Sequence, residues 1–346
     1  MLRELTVSGY RKFKTFSLKG FQRFNFFVGD NNVGKTSILE SIFGWSCGFN
    51  LQPFAMTAIA RNYTLNVVSP YILLEFIAAA VHDTDDRPWN FNFSGRSDEG
   101  TCSFSHIITP AELMIDTHNS FQKPNAVIAA QWEIQSENEK KIKNIGIPFF
   151  IPSESPAYLG KYIDILGHRD QIETIRMYSA LKREGKMDAF LQDLQAIFPE
   201  IEAIDTLPYP DATQAPISLK VKGGRFLPLF TFGDGLQRWY YILGALLLYK
   251  KGIFCIDEID AILHPAAQAG FCRNLMTYAR KYDAQLFMTT HNLEFLDTFL
   301  STWQELGETD DLRVITLKQF AKTSLRTRNL SGKEALDLRL YNMELR

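Results

Sequence analysis

Residues 29–36 read GDNNVGKT, which fits the spacing G-x-x-x-x-G-K-(S/T). Glycines at both ends let the backbone turn tightly enough for successive N–H groups to point inward at phosphate oxygens. In that arrangement Lys35 reaches the outer phosphates and the Thr36 hydroxyl holds a magnesium ion. The stretch Thr36–Phe43 (TSILESIF) is a helical pattern whose N-terminus adds partial positive charge to the anion site. Gly29, Asp30, Asn31, Asn32, Val33, Gly34, Lys35, Thr36 and Ser37 are therefore the expected nucleotide site, against the plainer reading of an ordinary glycine turn.

The apolar, β-prone run Ile253–Ile256 ends in two acids, Asp257 and Glu258. A carboxylate at such a strand end can share the magnesium with Thr36, because magnesium keeps several waters and takes only one or two protein carboxylates. Asp257 is assigned to the metal. Glu258 is assigned the general-base role, polarising a water for in-line attack on the γ phosphate. Met288-Thr289-Thr290-His291 ends the next apolar strand, so His291 is expected at the same edge, hydrogen-bonded to the γ phosphate or the attacking water. Gly233-Asp234-Gly235 precedes another helix, and glycines at a helix start expose N–H groups to an anion. One nucleotide hardly needs two such helix starts in one subunit, so a second copy of the chain could supply the second. The simpler reading is a capping turn with Asp234 as the cap.

These residues need a scaffold that brings them to one edge. Leu2–Ser8 and Phe16–Leu18 read as strands around the basic turn Tyr10-Arg11-Lys12-Phe13, which is either a solvated turn or a flank to the nucleotide through charge and stacking. Ser103–Ile107 and Ala126–Ile134 are β-prone, Tyr71–Val81 is apolar, and Pro148–Pro152 looks like a buried strand. Asp83–Pro88 and Ser94–Gly100 carry turn-forming residues and read as loops. Helical spacing appears from Arg169 onward, with a break at Gly185. Further on, Ile217–Val221, Ile253–Ile256, Gln285–Met288 and Leu312–Leu317 read as strands, and Gly233–Tyr249 and Pro265–Tyr282 as helices. Strands alternating with helices predict a largely parallel sheet covered on both faces, with the phosphate loop at the carboxyl end of its strand. The expected organisation is one composite α/β domain over residues 1–346, with residues 50–215 as an inserted β and helical lobe.

Composition narrows the classes. The chain has 346 residues, 46% hydrophobic and 22% charged, so it can build a large core, and disorder is not indicated. A net charge of −2 weighs against a strongly basic nucleic-acid or membrane surface; the clusters Lys140–Lys143 and Lys322–Arg328 read as solvated surface. Cys47, Cys102, Cys255 and Cys272 have no metal-ligand spacing and read as reduced thiols. The longest apolar run, Trp239–Tyr249, is too short to span a bilayer, and the start of the chain lacks a signal-peptide stretch, so a cytoplasmic protein without a membrane partner is expected.

GDNNVGKT, FGDGLQRW, CIDEIDAILHP and TTHN stand in an order that resembles ABC-type ATPase heads. The likeness points to the RecF–SMC–OLD branch, including compact AAA-type ATPases of bacterial defence loci, and LRELTVSGYRKF with FNFFVGDN is similar to the opening of that branch. The likeness implies a P-loop NTPase fold with a mostly parallel sheet, an antiparallel β subdomain and a helical insert. It implies ATP and magnesium as cofactors, and a head-to-tail homodimer closed around ATP. In that dimer Gly233–Gly235 is the signature loop for the partner's nucleotide, Asp260 belongs to the loop that contacts the partner, and His291 is the switch histidine. His264 is given a structural role.

Three departures stand out. Gly233 occupies the place of the signature serine, no Q-loop glutamine can be placed (Ser153–Ser155 follows the strand where one would lie), and neither a coiled-coil arm nor a nuclease domain is found. The expectation is thus an ATPase switch with a separately encoded effector, a nuclease, in an anti-phage or DNA-associated system. The alternative is a RecF-like repair clamp whose main activity is binding nucleic acid. A transporter subunit is disfavoured by the missing glutamine and the Leu263-His264-Pro265 ending, and a GTPase by the lack of an N-K-x-D tetrapeptide.

Overall fold

The chain opens with a hairpin, β1 (Leu2–Tyr10) and β2 (Phe13–Lys19), paired antiparallel with Leu5 opposite Leu18 and Tyr10 opposite Phe13. Next come β3 (Phe24–Gly29), buried at all six residues, and helix α1 (Lys35–Cys47). The computed structural model describes residues 1–47, 89–110, 128–136, 140–147, 160–165, 167–208, 215–261, 263–307, 309–321 and 324–341. The expected features at Tyr71–Val81, Asp83–Pro88, Pro148–Pro152 and Ser153–Ser155 lie outside those residues.

Strands β4 (Trp89–Ser97), β5 (Gly100–Pro110), β6 (Ile128–Ser136) and β7 (Lys140–Ile147) extend the hairpin into a six-stranded antiparallel sheet of order β2-β1-β4-β5-β6-β7. This corrects the reading of Ser94–Gly100 as a loop. β4 runs on through Ser97, and only Asp98 and Glu99 form the turn. Phe91 and Phe93 alternate into the core, while the polar face is satisfied across strands: Asn92 donates to Ser105 at 2.7 Å and Ser103 to Ser94 at 2.6 Å. Cross-strand pairing of small hydroxyl residues makes turn-like composition compatible with a strand.

After β8 (Gly160–Ile163) come α2 (Gln171–Arg183), capped by Asp170, and α3 (Met187–Ile197). β9 (Ile201–Thr206), β10 (Ile217–Val221) and β11 (Phe226–Pro228) form a small antiparallel sheet of order β11-β10-β9. Helix α4 (Asp234–Leu248) follows and is buried from Leu236 through Leu247, so it runs through the core rather than over it. The remaining elements are β12 (Ile253–Ile256), α5 (Pro265–Lys281), β13 (Gln285–Thr289), α6 (Leu293–Glu305), β14 (Leu312–Ala321), β15 (Ser324–Ser331) and α7 (Gly332–Leu340).

The second large sheet has the order β15-β14-β3-β13-β12-β8. All its pairings are parallel except β14 with β15. Period-two alternation sends its side chains to two cores. Phe24, Phe26, Val28, Phe254, Ile256, Leu286 and Met288 face the core built with α4, α5 and α6. Phe27, Ile253, Cys255, Phe287, Ile315 and Leu317 face α1 and the antiparallel sheet. The sheet is therefore covered on both faces, as its apolar strands require. The one buried amide in β3, Asn25, is tied to Gln22 and to the Leu286 carbonyl.

Candidate functional site

The parallel register sets the site. β3, β13 and β12 lie side by side and point the same way, so the segments after Gly29, Thr289 and Ile256 all emerge at one carboxyl edge. The loop after β3 has the backbone its sequence calls for: Gly29, Asn32 and Gly34 have φ of 144°, 59° and 107°. A Cβ on Gly29 would stand 2.2 Å from the Leu317 carbonyl oxygen, and one on Gly34 would stand 2.7 Å from the Lys12 side chain. Glycine is thus required at both ends of the loop. The ammonium of Lys35 is buried and donates to the carbonyls of Gly29 and Asp30, each at 2.8 Å. Val33 packs inward, whereas Asp30, Asn31 and Asn32 are exposed. The Ile38 N–H closes the first turn of α1 on the Gly34 carbonyl, which leaves the N–H groups of Lys35, Thr36 and Ser37 at the helix start, where an anion is favoured. Two cramped glycines, a fixed ammonium and a helix start suit a nucleotide triphosphate. The Thr36 hydroxyl and the Asp257 carboxylate are hard oxygen donors that suit magnesium. Among the described residues no cluster of three or more His, Cys, Asp or Glu side chains forms a self-contained metal site. Magnesium on a nucleotide needs none, since phosphates and water complete its shell.

At the end of β12 both oxygens of Asp257 are engaged. Tyr162 in β8 donates to Oδ2 at 3.2 Å and Thr289 in β13 donates to Oδ1. Burial, reinforced by the charge of Asp257, pushes the Tyr162 phenol well above its ordinary range, so it stays a donor. Glu258 has a positive φ of 44°, which is uncommon for a residue with a side chain and is a form of strain found at functional sites. Its backbone is held at both ends: its N–H donates to Thr289 Oγ1 at 2.8 Å, and its carbonyl accepts from Arg238 at 3.1 Å. The Glu258 side chain is left half exposed, with Oε1 4.0 Å from Nε2 of His291. His291 owes its place to Asn292, whose side chain caps α6 by accepting from the N–H groups of Glu294 and Phe295. A short turn between a buried strand and a capped helix thereby sets the histidine beside the acid.

Arg238 and Thr289 hold the turn at Asp257 and Glu258, and the motif reading assigns neither a role. Arg238 is 1% exposed and also donates to the Ala261 carbonyl at 2.8 Å. Burial lowers its pKa to about 10 against the opposing pull of Asp260, Asp164 and Glu258. A single charge inside the apolar run LQRWYYILGALLLY was the available signal, because a buried arginine needs partners. Asp260, expected on a partner-facing loop, accepts from Thr290 at 2.5 Å within the same subunit. His264 caps α5, its Nδ1 accepting from the Ala266 N–H.

Gly233–Gly235 opens a different helix from the one that follows the loop at Gly29–Ser37. The cap of α4 is Gly233 rather than Asp234, and it offers no side-chain cap. Asp234 is the first helical residue. Its carboxylate is held below the usual range by hydrogen bonds from Arg169, and His168 lies 3.3 Å away. Beside this turn runs a groove of about 460 Å³ bordered by Gln171, Thr174, Phe230 and Gln237, with no lining residue from the phosphate loop. The turn at Tyr10–Phe13 also differs from the reading that its residues flank a nucleotide by stacking. Tyr10 is fully buried, packs on Phe91 and Phe93, and donates to Glu40 of α1 at 3.0 Å. Arg11 pairs with the same buried carboxylate, and Phe13 stacks on Phe16. Lys12 reaches the phosphate loop, donating to the Asn32 carbonyl, and the Phe13 ring lies against Gly34. The hairpin tip braces the loop because Glu40 offers a buried partner that the aromatic hydroxyl needs.

A phosphate loop on a parallel sheet, acids on the next strand but one, and an antiparallel sheet across α1 together define a P-loop NTPase head of the ABC type. Residues 133–297 match the protein family described as "AAA domain, putative AbiEii toxin, Type IV TA system". The chain is similar to an ATP/GTP phosphatase of Helicobacter pylori, 20% identical over 92% of this chain and 93% of that one. It is also similar to the DNA replication and repair protein RecF of Enterococcus faecalis, 24% identical over 75% of this chain and 60% of the RecF chain, so it spans only part of RecF. In fold it matches an Smc head bound to the C-terminal winged-helix domain of ScpA, with a TM-score of 0.52, 13% identity, and coverage of 96% of this chain and 99% of that one. The chain thus has the fold of an Smc-type ATPase head and is similar in sequence to an ATP/GTP phosphatase and to RecF. Among the described residues no helix is long and apolar enough to cross a membrane.

Proposed function

We propose that this chain binds ATP with magnesium, hydrolyses it to ADP and phosphate, and works as a switch that pairs two copies head to tail around the nucleotide. The observation that carries this reading is the convergence of the Lys35 loop, Asp257, Glu258 and His291 at the edge of three adjacent parallel strands. The Gly29–Ser37 backbone and Lys35 bind the phosphates, and Thr36 and Asp257 would hold the magnesium, which when bound neutralises charge on the β and γ oxygens. Glu258 accepts a proton from the water that attacks the γ phosphorus as the bond to the β phosphate breaks. His291 orients that water or the γ phosphate beside it. Gly233–Gly235, whose neighbouring groove takes no lining residue from the subunit's own phosphate loop, would close the partner's site with Asp234 at the start of α4. Residues 50–215 are taken as a lobe inserted in one composite head.

For the wider role, a separately encoded nuclease effector in an anti-phage or DNA-associated system fits best. The toxin–antitoxin description of the matching family supports it. A RecF-like clamp on DNA is the second reading, favoured by the likeness to RecF and by the exposed Arg326 and Arg328 on edge strand β15. DNA affinity that falls steeply with added salt would distinguish it. The test of the central proposal is Glu258→Gln. It should bind ATP, lose hydrolysis by about 10²–10⁴-fold, and accumulate as an ATP-loaded dimer in light scattering. A variant that stays monomeric at saturating ATP would refute the paired mechanism.

A further inference from the structure

We propose that Thr289 is a positioning residue for both acids at once, its one hydroxyl fixing the carboxylate of Asp257 and the backbone of Glu258. This rests on the reading of Asp257 and Glu258 given above. A hydroxyl has one proton to give and lone pairs to accept with. An ionised carboxylate can only accept, and a backbone N–H can only donate. The contacts of Thr289 Oγ1 therefore have a fixed sense: it gives its proton to Asp257 Oδ1 and receives the N–H of Glu258 at 2.8 Å. The Thr289 carbonyl adds a third tie by accepting the Ile259 N–H at 3.0 Å. One residue of β13 thus spans the whole turn from Asp257 to Ile259, including Glu258 with its φ of 44°.

The arrangement has a chemical consequence. The turn that aims the Glu258 side chain is held at its carbonyl by Arg238 and at its N–H by Thr289, and losing the second hold lets the peptide before Glu258 relax toward an ordinary backbone. The same hydroxyl takes one lone pair of Asp257 Oδ1 while Tyr162 takes one on Oδ2, which orients the remaining lone pairs for a cation. Thr289 is 1% exposed and belongs to a strand packed on both faces, so its side chain cannot swing away. Outer partners of this kind typically change metal affinity or activity by about 10–100-fold when removed.

The test compares Thr289→Val, Thr289→Ser and the wild type. Valine keeps the shape without the hydroxyl, and serine keeps the hydroxyl without the methyl group. In Thr289→Val we expect kcat to fall by about 10–100-fold, KM for ATP to stay within about threefold, and the magnesium concentration that supports binding of a non-hydrolysable ATP analogue to rise. Hydrogen exchange of Ile253–Asp260 should become faster in the same variant without nucleotide, and Thr289→Ser should restore all these readouts. Thr289→Ala removes the hydroxyl in a second way should valine fail to fold. Unchanged turnover and exchange in Thr289→Val, alongside an inactive Glu258→Gln, would overturn the role of Thr289 and leave the catalytic reading standing. An active Glu258→Gln would instead sink the catalytic reading itself.

Discussion

The guanidinium of Arg238 donates to the carbonyl of Glu258 across 3.1 Å, from a helix that begins at Asp234 only four residues earlier. The turn proposed to serve a partner's nucleotide and the acid proposed to serve this subunit's own are thus joined by one turn of buried helix and one charge-assisted hydrogen bond. A shift of α4 cannot leave the Glu258 peptide in place without breaking that bond.

Lys35→Ala should lose at least about 10²-fold in ATP affinity, since charge-assisted hydrogen bonds contribute roughly 1.5–3 kcal/mol each. Titration with a fluorescent ATP analogue measures it. Undiminished affinity would remove the loop at Gly29–Ser37 as the nucleotide site.

Gly29→Ala meets a backbone oxygen, not a movable side chain, and does so at a φ of 144°. Strain of this kind costs of order 1–3 kcal/mol. The variant should show a lower urea midpoint together with weakened nucleotide binding. A midpoint equal to the wild type's would show that the loop and β14 do not meet as described.

Gly233→Ser should behave in the opposite way. Gly233 has an ordinary φ of −60°, and a Cβ there meets nothing within 4 Å. Serine adds a helix cap that the native residue lacks, an effect of a few tenths of a kcal/mol. On the proposed reading of Gly233–Gly235 as the loop that serves a partner's nucleotide, it also supplies a hydroxyl to that site, so turnover should rise. A fall in ATPase activity would argue against Gly233–Gly235 facing a phosphate.

His168 gives a pH dependence with a definite sign. Burial is the larger influence and holds its pKa below the ordinary value of 6.5, while the hydrogen bond to Asp234 opposes it. The unfolded chain therefore binds the proton more readily. The stability contributed by neutral His168 is complete above the ordinary value and is lost as pH falls through the folded one. His168→Gln carries no such titration. The gap in urea midpoint between wild type and variant should be widest near pH 7.5 and narrow by about pH 5. A gap independent of pH would place the titration elsewhere.

Much of the site was legible because its parts are local. The loop, the acid pair and TTHN each follow a short apolar strand, and the parallel order brings them together. What escaped depends on distant partners. β8 carries only Tyr162 and Ile163 as a strand signal, yet it pairs with β12 and delivers the phenol to Asp257. Thr289 reads as an ordinary β-branched residue until Asp257 and Glu258 are placed beside it. Tyr10 looked free to stack on a base because the buried carboxylate that claims it, Glu40, lies across on α1.

The neighbours of β3 in the sheet are Gln285–Thr289 and Leu312–Ala321, both from the last quarter of the polypeptide. As the chain leaves the ribosome, this wholly buried segment must wait for nearly the full length of synthesis before its edges are covered. The growing chain therefore cannot form its phosphate loop early. Nucleotide capture becomes a property of the finished molecule, and the long interval is when chaperones have most to protect.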